Sequence, residues 1–144
     1  PAQRVDDPPG AAGPFAGLVA GLASHAFGEA LVLAVDLPLL SAGTLAALRA
    51  RRGHAPVVLA APEGIPQPLA AWYTSGTLAP LTASLASGER SPTRAVLALG
   101  PKLVDDAALA ALPGGLDAWL NVNTPADLAE AERRLLASRP GEFT

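Results

Sequence analysis

The chain has 144 residues, half of them hydrophobic but only 4% aromatic, with a net charge of -3. That suffices for one domain with a core of Ala, Val and Leu, and the mild acidity argues against binding nucleic acid or anionic lipid through bulk charge. The lack of cysteine excludes disulfides, thiolate metal sites and a cysteine nucleophile and fits a cytoplasmic setting, while no apolar run approaches the ~20 residues of a membrane span and no signal-peptide pattern opens the chain.

Residues 1–13, PAQRVDDPPGAAG, read as a strand end at Arg4–Val5 followed by a loop. PFAGLVAGLAS (14–24) predicts a helix, with Pro14 in its first turn and Phe15, Leu18, Val19 and Leu22 at helical spacing. Gly17 and Gly21 leave a smooth face, for packing on a sheet or for a ligand. Leu31–Val35 is an apolar run typical of a strand covered on both faces. Ser41 caps a helix through AGTLAALRARR, with Leu45 and Leu48 inward.

APVVLAA (55–61) and LAAWY (69–73) predict two more strands around the loop EGIPQP. TLAPLTASLASG predicts a helix ended by Gly88, and SPTRAVLAL one capped by Ser91 with Pro92 in its first turn. A short strand KLVD, a short helix DDAALAAL and a strand AWLNV follow. TPADLAEAERRLLAS is the clearest helix, with Thr124 as cap, Pro125 at its first position and Asp127 at the capping-box position. Strands alternating with helices predict a three-layer α/β domain with a mainly parallel sheet.

Asp36 ends the strand of LVLAVDLPLL, and Leu37–Pro38 then turn the chain. A parallel strand delivers its last residue to the carboxyl edge of the sheet, where open α/β folds bind ligands. An unpaired carboxylate would be costly in a core, so Asp36 belongs at that edge, either capping its loop or holding a hard cation such as Mg2+ beside phosphate oxygens. Asp6 and Asp7 form a polar turn or accept hydrogen bonds from a ribose or a base edge. Asn121 and Asn123 face the same side if the strand continues; they read a polar heterocycle, or Asn123 belongs to the cap before Thr124. Near Glu89 and Arg94, Arg90 either clamps a phosphate bidentately or lies in a solvated turn. His25 and His54 lack ligand spacing, and Trp72, Tyr73 and Trp119 read as core. There is no Walker loop and no GxGxxG after a strand, and Lys102 is the only lysine.

GPFAGLVAGL after paired acids, LVLAVDLPLL, PQPLAAWY, LASGERS and LNVNTPADLAEAERRL occur in this order. Together they resemble the molybdenum cofactor guanylyltransferase family, which joins GMP to molybdopterin. The resemblance covers Val5 to Leu135. It implies a Rossmann-like α/β/α nucleotidyltransferase fold over residues 1–138, with 139–144 as a flexible tail. It also implies GTP and molybdopterin as substrates, Mg2+ as cofactor, release of pyrophosphate and molybdoenzyme-maturation proteins as partners. By motif match Asp36 is the catalytic, metal-binding carboxylate and also contacts the nucleotide. Asp7 (or Asp6), Gly13 and Gly17 contact the nucleotide, and Arg90, Asn121 and Asn123 contact molybdopterin. The family opens with a strand and a glycine-rich loop of the type LAGGxSxRMGxDK, which nothing here matches. The chain is therefore expected to be the C-terminal two-thirds of such an enzyme, lacking the first strand and loop, with exposed apolar sheet edges. A CTP-dependent sibling, a nucleotidyltransferase with another acceptor, and a non-catalytic molybdopterin-binding or partner-docking module are the alternatives.

Overall fold

The computed structural model describes residues 2–138; the tail at 139–144, expected to be flexible, lies outside them. Helix α1 (Pro14–Ala23) leads to strand β1 (Glu29–Leu33), α2 (Ala42–Ala50) and β2 (Val57–Ala60). Next come β3 (Ala70–Thr74), α3 (Leu78–Ala86), α4 (Pro92–Leu97), β4 (Lys102–Val104), α5 (Asp106–Ala110) and α6 (Pro125–Ala137). Short 3-10 turns occupy Pro62–Gly64, Ser75–Thr77 and Leu116–Trp119.

The sheet is mixed, in the order β1-β3-β2-β4. β2 and β4 pair in parallel, whereas β3 runs antiparallel to both β1 and β2. Strands β1, β2 and β4 thus share one direction, and β3 is reversed between two of them. The reversal has a local cause. Only residues 61–69 join β2 to β3, and a parallel return needs a crossover of a dozen residues or more.

Alternation along the central strands builds both faces. Val57, Leu59, Ala71 and Tyr73 point into a core with Phe15, Leu18, Val19 and Leu22 of α1 and Leu81 of α3. Val58, Ala60 and Ala70 point the other way, against Leu37, Leu48, Val104, Leu109 and Trp119. Such double coverage is why β2 is apolar at every position. The architecture is the expected three-layer, Rossmann-like α/β/α arrangement, but the sheet is mixed where a mainly parallel one was expected, because two of its three pairings are antiparallel.

Three local expectations are corrected. Arg4–Val5 is not strand but exposed, irregular chain. AWLNV is not a strand: Gly114 and Gly115 turn the chain at positive φ, Leu116–Trp119 winds into a 3-10 turn, and residues 120–123 belong to no ladder. β1 is not covered on both faces. It pairs only with β3, and Leu33 and Val35 are exposed.

Candidate functional site

The carboxyl ends of β1, β2 and β4 and the start of β3 make one rim. Beyond Leu33, the Ala34 N–H donates to the Leu69 carbonyl at 2.6 Å. The chain then turns through Val35–Asp36 and buries Leu37. The Asp36 carbonyl accepts the Val122 N–H at 2.8 Å, which pins the 120–123 segment to the end of β1. Asp36 itself is half-buried and lines a cleft of ≈ 290 Å³ with Pro14, Gln67, Pro68, Pro92 and Thr93. None of the ion pairs among the described residues involves its carboxylate.

Through Pro14 the same cleft meets the start of α1. Gly13 is the N-cap, at φ 98°, and offers no side-chain cap. The first-turn N–H groups therefore lack a side-chain acceptor, and the helix end carries partial positive charge. Gly17 and Gly21 are exposed, so packing on the sheet is not their use. Asp7 instead reaches α1: a Cβ built at Gly17 would stand 3.6 Å from its Oδ1. Asp6 turns away to Arg4 at 3.3 Å, in an exposed pair.

A second cleft, ≈ 580 Å³, lies along the rim and is lined by Glu63, Gln67, Asp106, Trp119, Asn121 and Arg134 among others. Ile65 and Gln67 line both clefts. Trp119 is buried, and its Nε1 has no hydrogen-bond partner. Asn121 is half-buried in this wall, whereas Asn123 is exposed and lines neither cleft. The Asn123 N–H donates to Asp127 Oδ2 at 3.1 Å, and that bond with the capping bonds of Thr124 holds the Asp127 carboxyl below its usual range.

Arg90 lies at the α3–α4 turn, two residues before Pro92. Its Nη1 donates to the carbonyls of Leu85 and Glu89, at 3.1 and 2.9 Å. Glu89 organises this turn. It takes two bonds from Arg94, at 3.0 and 2.8 Å, and the N–H groups of Ser91 and Arg90. Foremost the Arg94 bonds, then the Ser91 N–H, pull its carboxyl down to about 2.

Another opening of ≈ 580 Å³ lies between the start of α2 and α6. Its hydroxyls are already used. Ser41 caps α2, and Thr44 donates to the Pro113 carbonyl at 2.7 Å. Among the described residues no three His, Asp or Glu side chains converge as a metal-binding group. A hard cation that takes one carboxylate and completes its shell with phosphate oxygens and water needs no such group. The structure thus puts Asp36 in one cleft, which meets the start of α1 at Pro14, with Gly13, Gly17 and Asp7 on that helix end beside it; it puts Asn121 in the neighbouring cleft and leaves Arg90, Asn123 and Asp6 outside both. Sequence reasoning missed Gln67. Its signal was a polar residue between two prolines in the loop that returns from the rim.

Comparisons with known proteins bear on this arrangement. The family described as MobA-like NTP transferase domain matches residues 1–114. The molybdopterin-guanine dinucleotide biosynthesis protein A of Archaeoglobus fulgidus superposes with a TM-score of 0.70 at 27% identity, over 87% of this chain and 64% of that one. A protein of Aquifex aeolicus VF5 superposes with a TM-score of 0.63 at 23% identity, over 76% of this chain and 56% of that one, which speaks to the fold alone. The chain thus spans less than two thirds of the length of either. No curated protein matches it.

Proposed function

The chain belongs to the MobA-like NTP transferase domain family, and from that premise we propose that it serves the transfer of GMP from GTP to molybdopterin, yielding the guanine dinucleotide cofactor and pyrophosphate. One observation carries the reading. Asp36 sits without a charged partner at the carboxyl edge of the sheet, in the cleft that the start of α1 also meets. A carboxylate left unpaired in a half-buried cleft suits a cation, and a helix start suits an anion. A nucleotide phosphate with its metal supplies both.

In this reading the GTP phosphates lie beside Asp36 and the start of α1. Asp7 accepts hydrogen bonds from the guanine or ribose, and Gly13 and Gly17 let the nucleotide approach α1 closely. Mg2+ held by Asp36 supplies charge neutralisation at the phosphate oxygens. Asn121 orients the pterin in the second cleft, Asn123 stays outside it as part of the α6 cap, and Arg90 has Nε and Nη2 left for a phosphate. A terminal phosphate oxygen of molybdopterin forms the new bond to the α-phosphorus, and the bond to pyrophosphate breaks in line with it. The chain's work is positioning, and no side-chain nucleophile is needed. The same reading treats residues 1–138 as one nucleotidyltransferase-like domain, places the reaction in the cytoplasm and hands the product to molybdoenzyme-maturation proteins. Among the described residues no helix is long and apolar enough to cross a membrane.

The test is Asp36→Asn in the full-length protein. Turnover should fall roughly 100-fold or more, with an unchanged circular dichroism spectrum and melting temperature. Turnover close to wild type rejects the metal role. Competition between GTP and CTP for the free protein checks the base, and tighter binding of CTP would make the enzyme a cytidylyl transferase.

A further inference from the structure

We propose that Gln67 bridges the two substrates, its amide donating to phosphate oxygens where nucleotide and acceptor meet. The proposal rests on the two-cleft reading above and adds a residue to it. Of the two residues that line both clefts, Ile65 and Gln67, only Gln67 is polar. It is half-buried, and among the described residues its amide makes no hydrogen bond within the protein.

The backbone around it is held on every side. The Gln67 N–H donates to the Ala60 carbonyl at 2.9 Å, and its carbonyl accepts the Ala70 N–H at 3.0 Å. Pro66 and Pro68 flank it and restrict the chain there. The buried Tyr73 hydroxyl donates to the Pro68 carbonyl at 2.6 Å. Upstream in the loop, Glu63 adopts φ 54° and its N–H donates to Asp106 Oδ1 at 2.8 Å. A non-glycine residue keeps that conformation only where its surroundings enforce it, and such strain concentrates at ligand clamps. A side chain with a rigid backbone and an unused amide, on the wall between two clefts, is placed to recognise something in both.

The chemistry fits phosphates. A carboxamide offers two N–H donors without adding charge, so it can hold an oxygen of the attacking phosphate and one of the α-phosphate while leaving the attacking group anionic. Donors carried to such a point by a fixed backbone are worth most as charge builds in the transition state.

Gln67→Ala and the isosteric Gln67→Glu test this in the full-length protein. GTP affinity, measured by calorimetry, should stay within about fivefold of wild type, the worth of one lost hydrogen bond. Molybdopterin binding can be followed by Trp119 emission in a Trp72→Phe background. Trp119 lines the second cleft, whereas the Trp72 indole N–H is bonded to the Leu45 carbonyl on α2. The kcat should fall roughly 100-fold in the alanine variant and further in the glutamate variant, whose carboxylate would face the phosphates. A residue with only a structural role would accept glutamate at full kcat. A glutamate variant as active as wild type therefore overturns the proposal, as does an alanine variant with wild-type kcat, even where Asp36→Asn is inactive. A wild-type protein that binds no GTP overturns both this proposal and the reading beneath it.

Discussion

Gly17 shows how one residue separates stability from function. It lies mid-helix on the exposed side of α1, where glycine costs ~1 kcal/mol relative to alanine. A methyl group there meets only the Asp7 carboxylate, at an ordinary contact distance of 3.6 Å. Gly17→Ala should therefore raise the melting temperature by a few degrees and, under the proposed nucleotide site, weaken GTP binding, because the methyl covers the surface on which Asp7 rests. Thermal melts and GTP titration read the two effects separately. A stabilised variant with unchanged GTP affinity removes Gly17 from the nucleotide surface. Tyr73 offers the reverse case. It is fully buried, burial pushes its phenol pKa upward, and the protonated hydroxyl donates to the buried Pro68 carbonyl. Tyr73→Phe should cost about 1–3 kcal/mol in chemical denaturation, the penalty for a stranded buried acceptor. It should also loosen the loop that carries Gln67. A loss near zero would mean that the carbonyl finds another donor.

Among the elements, α6 owes most to its own sequence. Its one buried residue is Ala131. Thr124 and Asp127 close a full capping box, and Arg134 ties the helix to Asp117 at 2.7 Å. Thr124→Ala should cost about 1 kcal/mol locally and speed amide exchange at residues 126–130 while the global melting point hardly moves. A large global drop would show that α6 unfolds together with the core. The caps at Ser41, Ser91 and Thr124 were legible in the sequence because a cap is a contact within four residues. The direction of β3 needed one further step. A strand that follows another after so short a loop as EGIPQP must return antiparallel. The AWLNV segment misled because its apolar residues serve the core without a ladder. Ala118 and Trp119 are buried from a 3-10 turn, set up by two glycines at positive φ.

At the scale of the molecule, a candidate's position could be read where it follows from a strand end. The rule that strand ends gather ligands at one edge put Asp36 at the rim, although it lies in the turn three residues past β1, and β1 pairs only with the antiparallel β3. The position of Gln67 could not be read that way, because nothing local to a loop shows that two clefts meet at it. The charge pattern gives a whole-molecule prediction of its own. Four carboxyls are held below their ordinary range in the folded chain: Glu29 by Arg49, Glu89 by Arg94, Asp127 by the Asn123 N–H and Glu130 by Arg134. The unfolded chain, with glutamates near 4.5 and Asp127 near 3.8, binds protons sooner than the folded one as acid is added. Their contribution is complete above these values and is lost as pH falls through the folded values, about 2 for Glu89. The melting temperature should thus show no decline from these groups between about pH 7 and 5 and fall steadily below 4.5. These pairs are largely solvated, so added salt should flatten the fall. Glu89→Gln should lower stability at neutral pH, because it breaks the paired Arg94 bonds, and should make the acid slope shallower. An acid slope as steep in Glu89→Gln as in wild type would show that the α3–α4 turn, and with it the placement of Pro92 and Thr93 in the Asp36 cleft, does not depend on that carboxylate.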